Sequence, residues 1–125
     1  MIKQITIITN NVLSCQQFNK KYDVVFIEGD VKKVFESVRD YVHKGHKLLT
    51  HPLMSSVKPN ETPYRTVIIS KKSEGNIDME SLNYIEESMH SLEKFQKCCN
   101  TPKWSQSILE DFQLIDYDVI QQALN

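Results

Sequence analysis

Three prolines between Pro52 and Pro63 set the tightest limit on how this chain can fold. Proline removes a helical hydrogen bond and its ring clashes with the preceding turn, so that link cannot be one regular helix. The runs flanking it both read as strands: Lys47-Leu48-Leu49-Thr50-His51 before, Tyr64-Arg65-Thr66-Val67-Ile68-Ile69-Ser70 after. Parallel neighbours need a long crossover, usually a helix. Without one, the second run is expected antiparallel to the first. The wider stretch Val42 to Arg65 holds three of the four histidines and three of the four prolines, and a site is most naturally sought there.

The remaining elements follow from periodicity. Ile2 to Thr9 is rich in β-branched residues and near-continuously apolar, the pattern of a strand buried on both faces. Asn10-Asn11 ends it. Val12 to Lys21 suits a short crossover helix with Val12, Cys15 and Phe18 inward, and Asp23 to Ile27 is a second strand closed by Glu28-Gly29. Asp30 can cap the next helix, whose Val31, Val34, Phe35, Val38 and Val42 form one apolar stripe. His43-Lys44-Gly45 stops it, cations against the helix dipole and then a glycine exit.

Beyond the polar turn at Lys71 to Asn76, Asp78 can cap a long helix reaching Lys97, with Leu82, Ile85, Met89, Leu92 and Phe95 along one face. Thr101-Pro102 signals a fresh helix start, with Trp104, Ile108, Leu109 and Phe112 on its buried side. Asp116 is expected to open a terminal helix with Val119, Ile120, Ala123 and Leu124 inward. Residues 1–125 thus read as a single α/β domain: a small, mostly parallel four-stranded sheet with its last strand antiparallel, flanking helices and a helical C-terminal half.

Lys and Arg total 15 against 16 Asp and Glu, a formal charge of -1. Nucleic-acid and membrane surfaces select for clustered positive charge, so neither is an expected partner. No apolar run is long enough to span a bilayer, and Met1 to Thr9 is too short and strand-like for a secretion signal. Three cysteines, Cys15 and the adjacent Cys98 and Cys99, do not suit a disulfide framework, and a reducing cytoplasm is the expected compartment. Whether Cys98 and Cys99 are redox-active stays open. No metal site or cofactor is expected: His43, His46 and His51 straddle a helix end and a strand. With only three glycines, no Gly-x-Gly-x-x-Gly or Walker motif is present. Ser55 and Ser56 sit in no nucleophile elbow.

Ligands of open α/β sheets gather beyond the carboxyl ends of parallel strands. Here those ends carry Asn10-Asn11, Glu28 and His51, and an antiparallel last strand begins at the same edge with Tyr64 and Arg65. The link from Leu53 to Thr62, bearing Lys58 and Glu61, would lie across them. The candidate binding residues are therefore Asn10, Asn11, Glu28, His51, Lys58, Glu61, Tyr64 and Arg65. His51 is the candidate acid/base, given a carboxylate partner such as Glu28 or Glu61. Arg65 has the forked geometry to hold a carboxylate or phosphate. Each also has a structural reading: His51 as a strand terminator, Arg65 as an ion-pair partner, Lys58 as a solvated surface group, His43 and His46 as helix-end residues.

The runs His43-Lys44-Gly45-His46-Lys47-Leu48-Leu49-Thr50-His51-Pro52-Leu53 and Lys58-Pro59-Asn60-Glu61-Thr62-Pro63-Tyr64-Arg65 resemble the GrdX family. The segments Ile8-Thr9-Asn10-Asn11 and Leu109 to Asp116 are similar to it as well, so the likeness extends over most of the chain. The resemblance implies a protein encoded beside the glycine, sarcosine or betaine reductase system of amino-acid-fermenting anaerobes, with no defined catalytic residues. Three readings follow. The first is an accessory protein binding a reductase component or a small anionic ligand at the sheet edge. The second is a small enzyme using His51 as acid/base and Arg65 as anion holder. The third is a structural subunit self-associating through the Asp78–Lys97 helix.

Overall fold

Strand β1 (Ile5–Thr9) is buried along its whole length because helices cover both faces of the sheet it centres. The computed structural model describes residues 4–53, 62–98 and 102–124. Side chains alternate along a strand, so Ile8 faces one layer while Ile5 and Ile7 face the other. Ile8 joins Val67 and Ile69 of β3 (Thr66–Ser70) against Val34, Phe35, Val38 and Val42 of α2 (Val31–His43). Ile85 and Leu92 of α3 (Met79–Cys98) complete that core. Ile5 and Ile7, with Ile68, pack against Phe18 of α1 (Val12–Phe18) and Ile120 of α4 (Gln106–Leu124). The result is three layers: α2 and α3, the sheet, then α1 and α4.

The strand order is β2-β1-β3, where β2 spans Asp23–Phe26. β1 pairs parallel with β2 and antiparallel with β3, Thr9 standing opposite both Phe26 and Thr66. Among the described residues there are three strands rather than the expected four, and the sheet is mixed rather than mostly parallel. The run Lys47 to His51 contributes only an isolated bridge, Leu48 to Ile69, on the outer edge of β3. Hydroxyl groups explain why it goes no further. Lys47 N donates to Ser70 Oγ and Ile68 N to Thr50 Oγ1, in place of carbonyls that a longer ladder would use, while Leu48 N, facing away from β3, donates to Ser81 Oγ. The run lies antiparallel to β3, as expected of those two segments. It therefore points the same way as β1 and β2.

Helix ends follow the sequence closely. Asn11 caps α1 by accepting from Leu13 N, and Asp30 caps α2 by accepting from Lys33 N at 3.1 Å. Gly45, at φ +101°, turns the chain out of α2. Asp78 caps α3, taking bonds from the Ser81 amide and hydroxyl. The C-terminal part differs from expectation. One helix, α4, begins after Ser105 and continues through Asp116 instead of restarting there. Ser105 marks its start, its carbonyl accepting from Leu109 N at 2.9 Å. Trp104 lies before the helix and packs on Phe112, 5.4 Å between ring centres. Cys99 and Thr101 fall outside the described residues, as does most of the proline-rich link.

Candidate functional site

The carboxyl end of β1 is where the polar side chains of the interior meet. Asn10 uses its whole amide. Its Nδ2 donates to Gly29 O and Pro63 O, each at 2.9 Å, and its Oδ1 accepts from Arg65 N at 2.9 Å. One side chain thereby holds the loop after β2, the end of β1 and the approach to β3. Asn11 is equally committed. Besides capping α1, its Nδ2 donates to Gln113 O at 2.9 Å and to Asp116 Oδ2 at 3.0 Å on α4.

Beneath them lies a chain of hydroxyls. Thr9 Oγ1 donates to Arg65 O at 2.9 Å and stands 2.8 Å from Thr66 Oγ1. Thr66 Oγ1 donates to Asp116 Oδ2 at 2.6 Å, with Ser14 Oγ 3.0 Å away. A hydroxyl has one proton to give, so giving it to the carboxylate leaves the Thr66 oxygen as an acceptor for Ser14, the Thr9 proton being committed to Arg65 O. Thr9, Asn11, Ser14, Thr66 and Asp116 are all buried. Such groups can occupy the interior only because they satisfy one another.

Arg65 is 0 % exposed. Its Nη1 donates to Tyr64 O at 3.5 Å. Burial lowers its pKa from the ordinary arginine value to about 10, while the field of Asp116 opposes that fall. The guanidinium is therefore a cation at neutral pH, lodged inside the fold near one carboxylate.

The remaining expected site residues divide by place. Tyr64 is half-buried beside Arg65, and Glu28 is exposed one residue before the Gly29 carbonyl held by Asn10. His51 is exposed beyond the outer edge of β3, its ring 5.3 Å from Tyr84 of α3. Its Nδ1 accepts from Leu53 N at 3.1 Å. Lys58 and Glu61 lie outside the described residues, as do Ser55 and Ser56. Asn10, Asn11 and Arg65 are thus knitted together with Tyr64 and Glu28 adjoining. Among the described residues no hydrogen bond joins His51 to this group.

Sequence reading missed Thr9, Ser14, Thr66 and Asp116. Asp116 had a legible signal: Phe112, Asp116 and Ile120 share an i, i+4, i+8 spacing, placing the carboxylate on the inward stripe of α4. Chemically, Thr66 and Asp116 resemble a nucleophile and base at short distance, but Thr66 is 3 % and Asp116 1 % exposed. No substrate reaches such a pair, so the network acts as a clamp. Among the described residues, His, Cys, Asp and Glu form no group of three able to hold a metal ion. No described helix is long and apolar enough to cross a membrane.

The family model described as GrdX-like protein matches residues 6–125. No curated protein matches the chain, and no solved structure does.

Proposed function

The chain belongs to the GrdX-like protein family, and on that premise we propose that it is a non-catalytic accessory protein of the glycine, sarcosine or betaine reductase system. In this reading it works in the cytoplasm and binds a reductase component, or a small anionic ligand, at the carboxyl edge of its sheet. The observation that carries the reading is how the polar groups there are employed. Asn10, Asn11, Thr66 and Asp116 are bonded within the fold to side chains and backbone groups, which builds a rigid rim and, among the described residues, leaves no reactive set of these groups facing solvent. Glu28 and His51, which are exposed, and the half-buried Tyr64 supply recognition chemistry on top of it.

The test combines two measurements. Purified protein is mixed with separately purified reductase components and analysed for complex formation, and its thermal midpoint is followed with added amino acids and phosphate compounds. Complex formation that weakens in a Glu28→Arg/His51→Ala variant supports the proposal. Absence of both a complex and any thermal shift overturns it. Turnover of an amine, acyl phosphate or nucleotide that vanishes in folded His51→Ala would instead establish an enzyme with His51 as its acid/base.

A further inference from the structure

Four hollows are described on the surface, and each of three contains an ion pair. Arg39 meets Glu86 at 3.8 Å between α2 and α3, Lys71 meets Asp23 at 3.1 Å beside β2, and Lys97 meets Glu93 at 3.4 Å on α3. The fourth is different. It lies where the end of α1 and the turn into β2 face the last turns of α4, with a volume of about 200 Å³. Phe18, Lys20, Lys21, Tyr22, Tyr117 and Gln121 line it, and no carboxylate side chain does. This is the amino-terminal end of β2, the opposite end of the strand from the rim of Asn10 and Arg65.

We propose that this hollow is a binding site for a small organic anion, a single-ring carboxylate, with its ring against Phe18 and Tyr117 and its charge toward Lys20 and Lys21. Size supports that class. A cavity of roughly 150 Å³ accepts benzene, so about 200 Å³ admits one ring bearing a carboxylate and little more. The wall is preformed: the Phe18 and Tyr117 rings lie 5.0 Å apart at 40°, and Phe18 meets Tyr22 edge-on at 6.4 Å. Phe18 belongs to the buried core, so this wall is anchored in the fold. Two carbonyls at the end of α1 already accept hydrogen bonds from the chain itself. Cys15 O accepts from Asn19 N, and Phe18 O from Lys21 N and Tyr22 N. The nearest acidic group in sequence, Asp23, is held by Lys71.

The experiment titrates the ¹⁵N-labelled full chain with benzoate, benzamide and benzylamine. Benzoate is expected to shift the amides of residues 18–22 and 117–124, benzamide to bind about tenfold more weakly and benzylamine more weakly still. A Lys20→Glu/Lys21→Glu variant is expected to lose benzoate affinity about tenfold or more. Added NaCl in the unaltered protein weakens benzoate but not benzamide, which tests the charge without a substitution. Absence of shifts at about 10 mM benzoate overturns the proposal. So does equal affinity for the three probes, or tightest binding of benzylamine. In those cases Lys20 and Lys21 merely offset the dipoles of the helix ends. The rim proposal is unaffected by any of these outcomes, because it concerns the other end of the sheet.

Discussion

Thr66 and Asp116, fifty positions apart, share a 2.6 Å hydrogen bond in which the strand hydroxyl donates to the helix carboxylate. Asn11 donates to the same carboxylate oxygen at 3.0 Å. α4 is thereby fastened at one point to both β3 and the start of α1. The apolar contacts of Ile120 hold the helix against the sheet, but apolar contact alone would tolerate sliding. The carboxylate fixes its register.

Asp116→Ala should therefore unfold easily. It strips a buried charge partner from Arg65 and removes the carboxylate oxygen that the Thr66 hydroxyl and the Asn11 amide share. Removing one member of a buried charged pair costs about 3–5 kcal/mol. Asp116→Asn keeps the shape and one acceptor, and should cost clearly less. Urea unfolding followed by circular dichroism measures both. An alanine variant within about 1 kcal/mol of the parent would show that the network is not what fixes α4.

Arg65 and Asp116 should be energetically coupled. A double-mutant cycle with Arg65→Met and Asp116→Leu is expected to give an interaction of about 0.5–3 kcal/mol, the double variant losing less than the two singles together. The pH dependence has a defined sign. With a folded pKa of about 10 against the higher, ordinary arginine value of the unfolded chain, both states hold the proton below pH 10, and the folded state bears the desolvation cost. Between those values the folded protein releases the proton first, so the contribution of Arg65 becomes more favourable as pH rises. From about pH 5 to 8 this residue should add no slope. Parent and Arg65→Met stability curves that converge or diverge within that range would contradict it.

The layers of this fold were legible because they rest on local periodicity. The stripe Val31, Val34, Phe35, Val38, Val42 named α2 and its buried face, and Ile85 with Leu92 named that of α3. What failed was information carried by distant partners. Nothing within Lys47 to His51 tells a reader that the Ser70 hydroxyl will accept from Lys47 N, or that the Ile68 amide of β3 will turn to Thr50 Oγ1 instead of a carbonyl. Asp116 fits a helix cap by local rules, and only Thr66 and Asn11 make it an interior residue. Asn10 Oδ1 accepts from the Arg65 backbone amide, an inward pairing that no local pattern in either segment encodes.

Gly45 and Gly75 both have positive φ, at +101° and +82°, but their surroundings differ. A Cβ on Gly45 would lie 2.5 Å from Ser73 Oγ and 3.0 Å from Gly75 N, whereas one on Gly75 meets nothing within 4 Å. The Ser73 hydroxyl cannot move away freely, since it bonds to Lys44 O. Gly45→Ala should cost about 2–3 kcal/mol, backbone strain plus crowding, and Gly75→Ala about 1 kcal/mol from strain alone. Chemical denaturation of the two variants side by side checks the order. Equal losses would mean that crowding at Gly45 is relieved without cost.

Asp78 joins the cap of α3 to the bridge segment, and acid should undo both. Its carboxylate pKa lies below the usual 3.8, chiefly because Ser81 Oγ donates to it, with the Ser81 amide adding to the effect. That hydroxyl in turn accepts from Leu48 N at 2.9 Å. A carboxylate with a depressed folded pKa contributes stability that is complete above its unfolded value and lost as pH falls through the folded one. Asp78→Ala removes the cap at every pH, so the parent should melt higher than the variant near neutrality. The gap should shrink in strong acid, where the parent's carboxylate is protonated too. Thermal midpoints measured down a pH series give the answer, and amide exchange at Leu48 and Leu82 locates it. A gap independent of pH would mean that the ionised carboxylate is not what holds Ser81 toward both the helix start and the bridge.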